Sequence, residues 1–288
     1  MSAADASGSM VRRILLGSQL RRLRESRGVT REAAGYSIRA SESKISRMEL
    51  GRVSFKQRDV ADLLTLYGVT DEADREPLLS LARSSSLAGW WHTYNDVLPG
   101  WFQTFVGLEA AASEICSYQL QFIHGLLQTE RYARAVVTSG HRTDLSADEA
   151  ERRVALRMER QKLLVSDRAP SFHCVLDEAA LHRPYGGRKV MDEQLRALAD
   201  LSEQAHITLQ VVPFAHGGHA AESGAFTLLR FAEQELPAVV YVEQLTSALY
   251  LDKREEVAEY QQVMDHIVGA ALSPSETREL LHRIRQLR

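Results

Sequence analysis

Thr30-Arg31-Glu32-Ala33-Ala34-Gly35-Tyr36-Ser37-Ile38-Arg39-Ala40-Ser41-Glu42-Ser43-Lys44-Ile45-Ser46-Arg47-Met48-Glu49 is the stretch that decides the fold. Thr30 stands where a helix needs an oxygen to cap its free N–H groups, and Glu32 follows in the first turn. Ser41 and Glu42 repeat that arrangement eleven residues on. Between them, Ile38-Arg39-Ala40 leaves room only for a tight turn. The small residues Ala33, Ala34 and Gly35 let two helices cross closely. Ile45 and Met48, at i and i+3, give the second helix a buried stripe, and Glu42, Ser43, Lys44 and Arg47 remain for its other face. Two short helices about a turn, the second with a polar face, have helix-turn-helix form. Such a helix can enter the DNA major groove with its N-terminal residues toward base edges.

Working outward, Leu16, Leu20 and Leu23 fall at i, i+4 and i+7 among Arg21, Arg22, Arg24 and Glu25. This predicts an amphipathic helix with a basic outer face, ended by Gly28. The helix begun at Ser41 ends at Gly51. Asp59–Tyr67 carries Val60, Leu63, Leu64 and Tyr67 on one face, and Asp71–Arg83 reads as a fifth helix. Residues 14–84 thus form an all-α unit, and residues 1–13 read as a disordered tail with no apolar signal core. Residues 10–58 carry 13 Lys/Arg against 4 Asp/Glu, whereas the whole chain has 35 against 38. A basic module on an acidic body suggests one polyanion-binding region; on charge alone, a solvated arginine-rich helix face fits as well.

Residues 85–103, with Trp90-Trp91 and Pro99-Gly100-Trp101, read as a Trp-rich junction whose rings pack between domains or at a dimer seam. Residues 104–288 mix helix and strand. Helices are expected at Glu109–Gln121, Glu130–Val137, Ala147–Leu164, Met191–Gln204, Glu255–Val268 and Ser275–Leu287. Strands are expected at Phe172–Leu176, Ile207–Val212, Ala225–Phe231 and Val239–Glu243. The fold class is multidomain: an all-α helix-turn-helix domain, then an α+β domain.

Leu20-Arg21-Arg22-Leu23-Arg24 with Arg27-Gly28-Val29-Thr30, Lys44-Ile45-Ser46-Arg47-Met48-Glu49 with Gly51-Arg52, and Asp62-Leu63-Leu64 with Tyr67-Gly68-Val69 resemble the XRE (Cro/repressor-type) helix-turn-helix domain over about residues 16–69. The resemblance implies double-stranded DNA as partner. By its pattern Ser41 caps the recognition helix, and Glu42, Ser43 and Arg47 point toward bases, Arg47 as a bidentate guanine contact. Glu42 has two readings, an acceptor from cytosine or a first-turn acid with no base contact. Arg31, Lys44 and Arg52 are implied as phosphate contacts. Two positions depart from the pattern. Arg39 holds a turn position where glycine is usual, and a non-glycine residue at positive φ costs about 1 kcal/mol, so a different turn is expected. Gly35 replaces the usual alanine at the helix crossing, weakening that helix by about 1 kcal/mol.

Gly89-Trp90-Trp91, Leu98-Pro99-Gly100-Trp101-Phe102, Gly125-Leu126-Leu127-Gln128-Thr129, Val211-Val212-Pro213-Phe214 and Val240-Tyr241-Val242-Glu243 are similar to the Scr-type domain of unknown function that follows XRE domains in many actinobacterial regulators. His124 stands where that pattern favours proline, which predicts a looser loop. The resemblance supplies no catalytic activity, and none emerges from the residues. His216-Gly217-Gly218-His219 lacks a third metal ligand and reads as a turn. Asp177 and Glu178, near His173 and His182, read as acids at a helix start. Cys116 and Cys174 have no redox or metal spacing and read as buried thiols. Tyr185-Gly186-Gly187-Arg188-Lys189 lacks phosphate-loop spacing.

The expectation is therefore a cytoplasmic, dimeric, sequence-specific transcription regulator without cofactor, metal or membrane span. Its second domain would sense a small-molecule effector or a small partner protein. Two other readings stand beside it: an antitoxin-like interaction protein that autoregulates its operon, and a DNA-tethered enzyme.

Overall fold

The computed structural model describes residues 3–85, 89–140, 145–221, 224–232 and 236–287. The chain divides into two compact units. One holds the chain up to Thr93 together with Gln103–Ala111, and the other holds Tyr94–Phe102, Ala112–Ala232 and Ala238–Arg288.

The first unit contains α1 (Ala3–Ser26), α2 (Arg31–Ser37), α3 (Glu42–Glu49), α4 (Gln57–Leu66) and α5 (Glu72–Ser84). Its core is Leu16, Leu20, Ala34, Ile38, Ile45, Met48, Phe55, Val60, Leu63, Leu64, Tyr67 and Ala82. The apolar spacing that suggested α1, α3 and α4 therefore marks the faces that meet. The expected disordered tail at 1–13 is corrected over residues 3–13, which continue α1. Ala3, Ala4 and Ala6 are residue types of high helix propensity. Residues 1 and 2 lie outside the described residues, as do residues 86–88 of the junction.

Four of these helices end in one way. The residue two beyond the helix adopts positive φ and the following N–H reaches back five residues, the Schellman pattern. At α1 the residue is Gly28 (φ 63°), at α3 Gly51 (φ 64°) and at α4 Gly68 (φ 73°). The returning bonds are Val29 N–H to Arg24 O (3.1 Å), Arg52 N–H to Arg47 O (2.8 Å) and Val69 N–H to Leu64 O (2.9 Å). At α2 the same pattern is built on Arg39, with φ 54°; Ala40 N–H donates to Gly35 O at 2.8 Å. The expected different turn is thus corrected: Arg39 takes the left-handed conformation that the sister turns give to glycine. The second departure fits the first. A Cβ on Gly35 would lie 2.7 Å from Ala40 O, so this turn leaves no room for alanine there.

The second unit is built on a six-stranded mixed sheet, in order β3-β2-β1-β4-β5-β6. Its strands are β1 (Glu114–Gln119), β2 (Ser171–Asp177), β3 (Ile207–Val212), β4 (Phe226–Arg230), β5 (Val239–Glu243) and β6 (Ala248–Leu251). β1 pairs parallel with β2 and antiparallel with β4, so the sheet changes sense at β1. Helix α6 (Gly100–Ala111), most of which belongs to the first unit, precedes β1 in the chain; α7 (Glu130–Ser139) and α8 (Ala147–Gln161) lie between β1 and β2; α9 (Ala179–His182) and α10 (Arg188–Leu201) between β2 and β3; α11 (Arg254–Ala270) and α12 (Pro274–Gln286) follow β6. Cys116, Tyr118, Val175, Leu228, Val240, Met264 and Ile267 lie in the core beneath the sheet.

The expected helix Glu109–Gln121 is corrected: helix stops at Ala111 and β1 begins at Glu114. Ile115-Cys116-Ser117-Tyr118 is buried throughout, as a strand paired on both sides requires. β6 was not among the expected strands. His124, expected to loosen its loop, is buried; it holds φ −52° and ψ 141°, a backbone that proline would also adopt, and its Nδ1 accepts the Leu126 N–H at 3.2 Å.

Candidate nucleic-acid interface

Two local caps set the helix-turn-helix. Thr30 Oγ1 accepts the Ala33 N–H at 3.1 Å to start α2, and Ser41 Oγ accepts the Lys44 N–H at 3.2 Å to start α3. α3 buries Ile45, Met48 and Glu49 and leaves Glu42, Ser43 and Arg47 exposed on its other side. α1 approaches α3 closely enough that a Cβ on Gly17 would lie 2.5 Å from Met48 O.

Two buried carboxylates organise the basic residues around this core. Glu49, 4% exposed, receives Arg24 Nε on Oε1 at 2.5 Å and Arg31 Nε on Oε2 at 2.9 Å. The hydrogen bond to Glu49 raises the Arg24 pKa above its ordinary value despite burial. Asp59, 2% exposed, receives Lys44 Nζ on Oδ2 at 2.8 Å. Arg31 and Lys44, expected on phosphates, therefore each hold an internal carboxylate. Their contact sites lie within the fold of α1, α2, α3 and α4.

The other expected residues are placed differently. Ser41, Glu42 and Ser43 are exposed at the start of α3. Arg47 is exposed, and its Nε donates to Ser43 O at 3.3 Å, which lays the guanidinium along the same face. Arg52 is half-buried just past the α3 terminus. Arg39 stands out in the sequence only as a turn residue, yet it is an exposed cation shortly before α3. Lys56 and Arg58, exposed at the start of α4, were counted only in the basic balance of residues 10–58.

The chemistry-bearing residues of the second unit are tied up locally. Asp177 Oδ1 accepts the Ala179 N–H at 2.8 Å, and Glu178 accepts the Phe214 N–H at 2.8 Å while meeting His182 Nε2 at 3.1 Å. His219 Nε2 lies 2.8 Å from the Tyr118 hydroxyl and 3.7 Å from Asp177. His173 pairs with Gln210 at 2.8 Å. Among the described residues no group of three His, Cys, Asp or Glu side chains is placed to hold a metal. Burial, then Glu114, pushes the Cys116 thiol up to about 12, and burial pushes Cys174 higher, so both thiols are poor nucleophiles. Among the described residues no helix is long and apolar enough to cross a membrane.

Residues 15–78 match the family model of a helix-turn-helix domain. Residues 102–283 match the model of a domain of unknown function, DUF5753. Comparison with curated proteins and with solved structures gave no match.

Proposed function

From the premise that this chain belongs to the DUF5753 family and carries a helix-turn-helix domain at its N-terminal side, we propose that it is an XRE-type, sequence-specific DNA-binding regulator of transcription. The observation that carries this reading is the divided surface of α3. Its buried side is fixed by Ile45, Met48 and Glu49, and Glu42, Ser43 and Arg47 stand exposed on the other. A rigid helix with a free polar edge is what base readout in the major groove requires. The exposed cations Arg39, Lys56 and Arg58 around it supply charge for the phosphate backbone. One such unit makes few base contacts, so the functional form is a homodimer on a two-fold site. The second unit acts as the sensor of a small effector, and the reading assigns it no catalytic step.

Selection of binding sites from a random duplex pool tests this. Wild type is expected to enrich one two-fold motif, with affinity falling steeply as salt rises. Arg47→Ala is expected to lose preference at one base pair in each half-site, by about 1–3 kcal/mol. A pool without enrichment, or binding indifferent to salt, sinks the proposal.

A further inference from the structure

The second unit contains an arginine face that the regulator reading leaves unused. Arg153, Arg157 and Arg160 stand at i, i+4 and i+7 on α8, along one side of the helix. Like charges at this spacing destabilise a helix unless something offsets them. Arg153 Nη2 has Glu149 on the same helix at 2.6 Å, but its Nε is buried with no hydrogen-bond partner. Arg157 Nη1 donates to Gln128 Oε1 at 3.0 Å; among the described residues no carboxylate lies within ion-pairing distance of it. The Arg160 guanidinium carbon sits 5.1 Å from the centre of the Phe102 ring.

Gln128 is neutral and is held by other bonds as well. Its Nε2 donates to Ile123 O at 2.6 Å, and its backbone carbonyl accepts from Gln161 Nε2 at 2.7 Å. A single neutral oxygen thus meets one of the five donors of the Arg157 fork. Glu243 is the acidic group that faces Arg157 at longer range, and the Tyr241 hydroxyl already donates to it at 2.9 Å. Burial first, then Arg160 and Arg153, pulls the Arg157 pKa down to about 10. A half-buried guanidinium short of counter-charge, beside an orphan N–H donor one turn away, is the arrangement that an oxyanion completes.

We propose that the α8 face around Arg157 binds a small-molecule ligand through a carboxylate or phosphate group, with Arg157 as its charged contact and Arg153 Nε as a further donor. This rests on the reading of the second unit as a sensor and gives its effector a chemical class.

The test titrates the full-length chain with inorganic phosphate and, separately, with succinate, at ionic strength held constant with sodium chloride. Calorimetry and the thermal midpoint are read together. Saturable binding of one anion is expected, and which one binds separates phosphate from carboxylate ligands. Arg157→Gln should weaken it at least tenfold, and Arg157→Lys should restore part of it. Should Arg157→Gln fold poorly, the Nε–H resonances of Arg153 and Arg157 in wild type provide the second readout, and both should move on titration. The proposal is overturned if neither anion does more than chloride, if Arg157→Gln responds like wild type, or if those resonances stay still. DNA binding measured on the same samples separates the two readings. Lost anion binding with DNA binding intact removes only this site; the reverse removes the regulator reading and leaves the site.

Discussion

The helical unit and the sheet unit both bury ionisable groups, and they settle them in opposite ways. In the helical unit the carboxylates are buried and the cations come to them: Glu49 holds Arg24 and Arg31, and Asp59 holds Lys44. In the sheet unit Arg157 has no carboxylate within ion-pairing distance among the described residues. His124 is kept neutral by burial, with Arg160 and then Arg157 opposing its charge, and Arg157 itself lies beside two further arginines. The difference sorts a basic surface by use. Cations aimed at Glu49 and Asp59 hold helices together, and those left outward, Arg47 among them, are available to a polyanion.

The largest expected effect breaks the helical side of this contrast. Glu49→Gln keeps the shape of the side chain but leaves Arg31 without its carboxylate and Arg24 with Glu25 alone. A loss of about 3 kcal/mol or more is expected in urea denaturation. A loss under about 1 kcal/mol would show that the buried pair is not what joins α1 to α3.

The next effect sharpens the sheet side. Burial lowers the His124 pKa to about 3, below the ordinary value of 6.5. A histidine depressed on folding contributes stability that is fully present above 6.5 and is lost as pH falls toward the folded value. Wild type should therefore lose about 2 kcal/mol between pH 7.5 and 5 through this group. His124→Asn, which cannot titrate there, should flatten the curve over that window. Parallel curves for the two proteins would assign the acid sensitivity to other groups.

The smallest effect is a gain. Arg39→Gly gives the α2 turn the residue used at the ends of α1, α3 and α4, and should stabilise the helical unit by about 1 kcal/mol. That is a rise of a few degrees in the thermal midpoint. An unchanged or lower midpoint would mean that Arg39 is held in place by something worth more than its backbone strain.

The helical unit was legible because its boundaries are written locally. Thr30 and Ser41 cap the helices they precede, and Gly28, Gly51 and Gly68 end the ones they follow. The polar face of α3 was legible too, since Ile45 and Met48 fix which side is outward. Arg31 and Lys44 were harder. Their partners lie 18 and 15 residues away, and nothing near Glu49 or Asp59 marks either acid as buried. β1 was illegible for a related reason. Ala110-Ala111-Ala112 runs into it with no breaker, and what makes Ile115–Tyr118 a strand is pairing with β2 and β4. β6 is short and owes its place to β5.

The position of β1 also orders events in time. Ser117 on β1 meets Thr227 on β4 across 110 residues of chain, so the middle of the sheet cannot close until most of the protein has been made. The helical unit's core, by contrast, closes within residues 16–82. Local contacts form faster than distant ones, and chains fold from the N-terminal side as they emerge. The core of the helix-turn-helix unit can therefore be complete while the central strand of the second unit still waits for a partner on the ribosome.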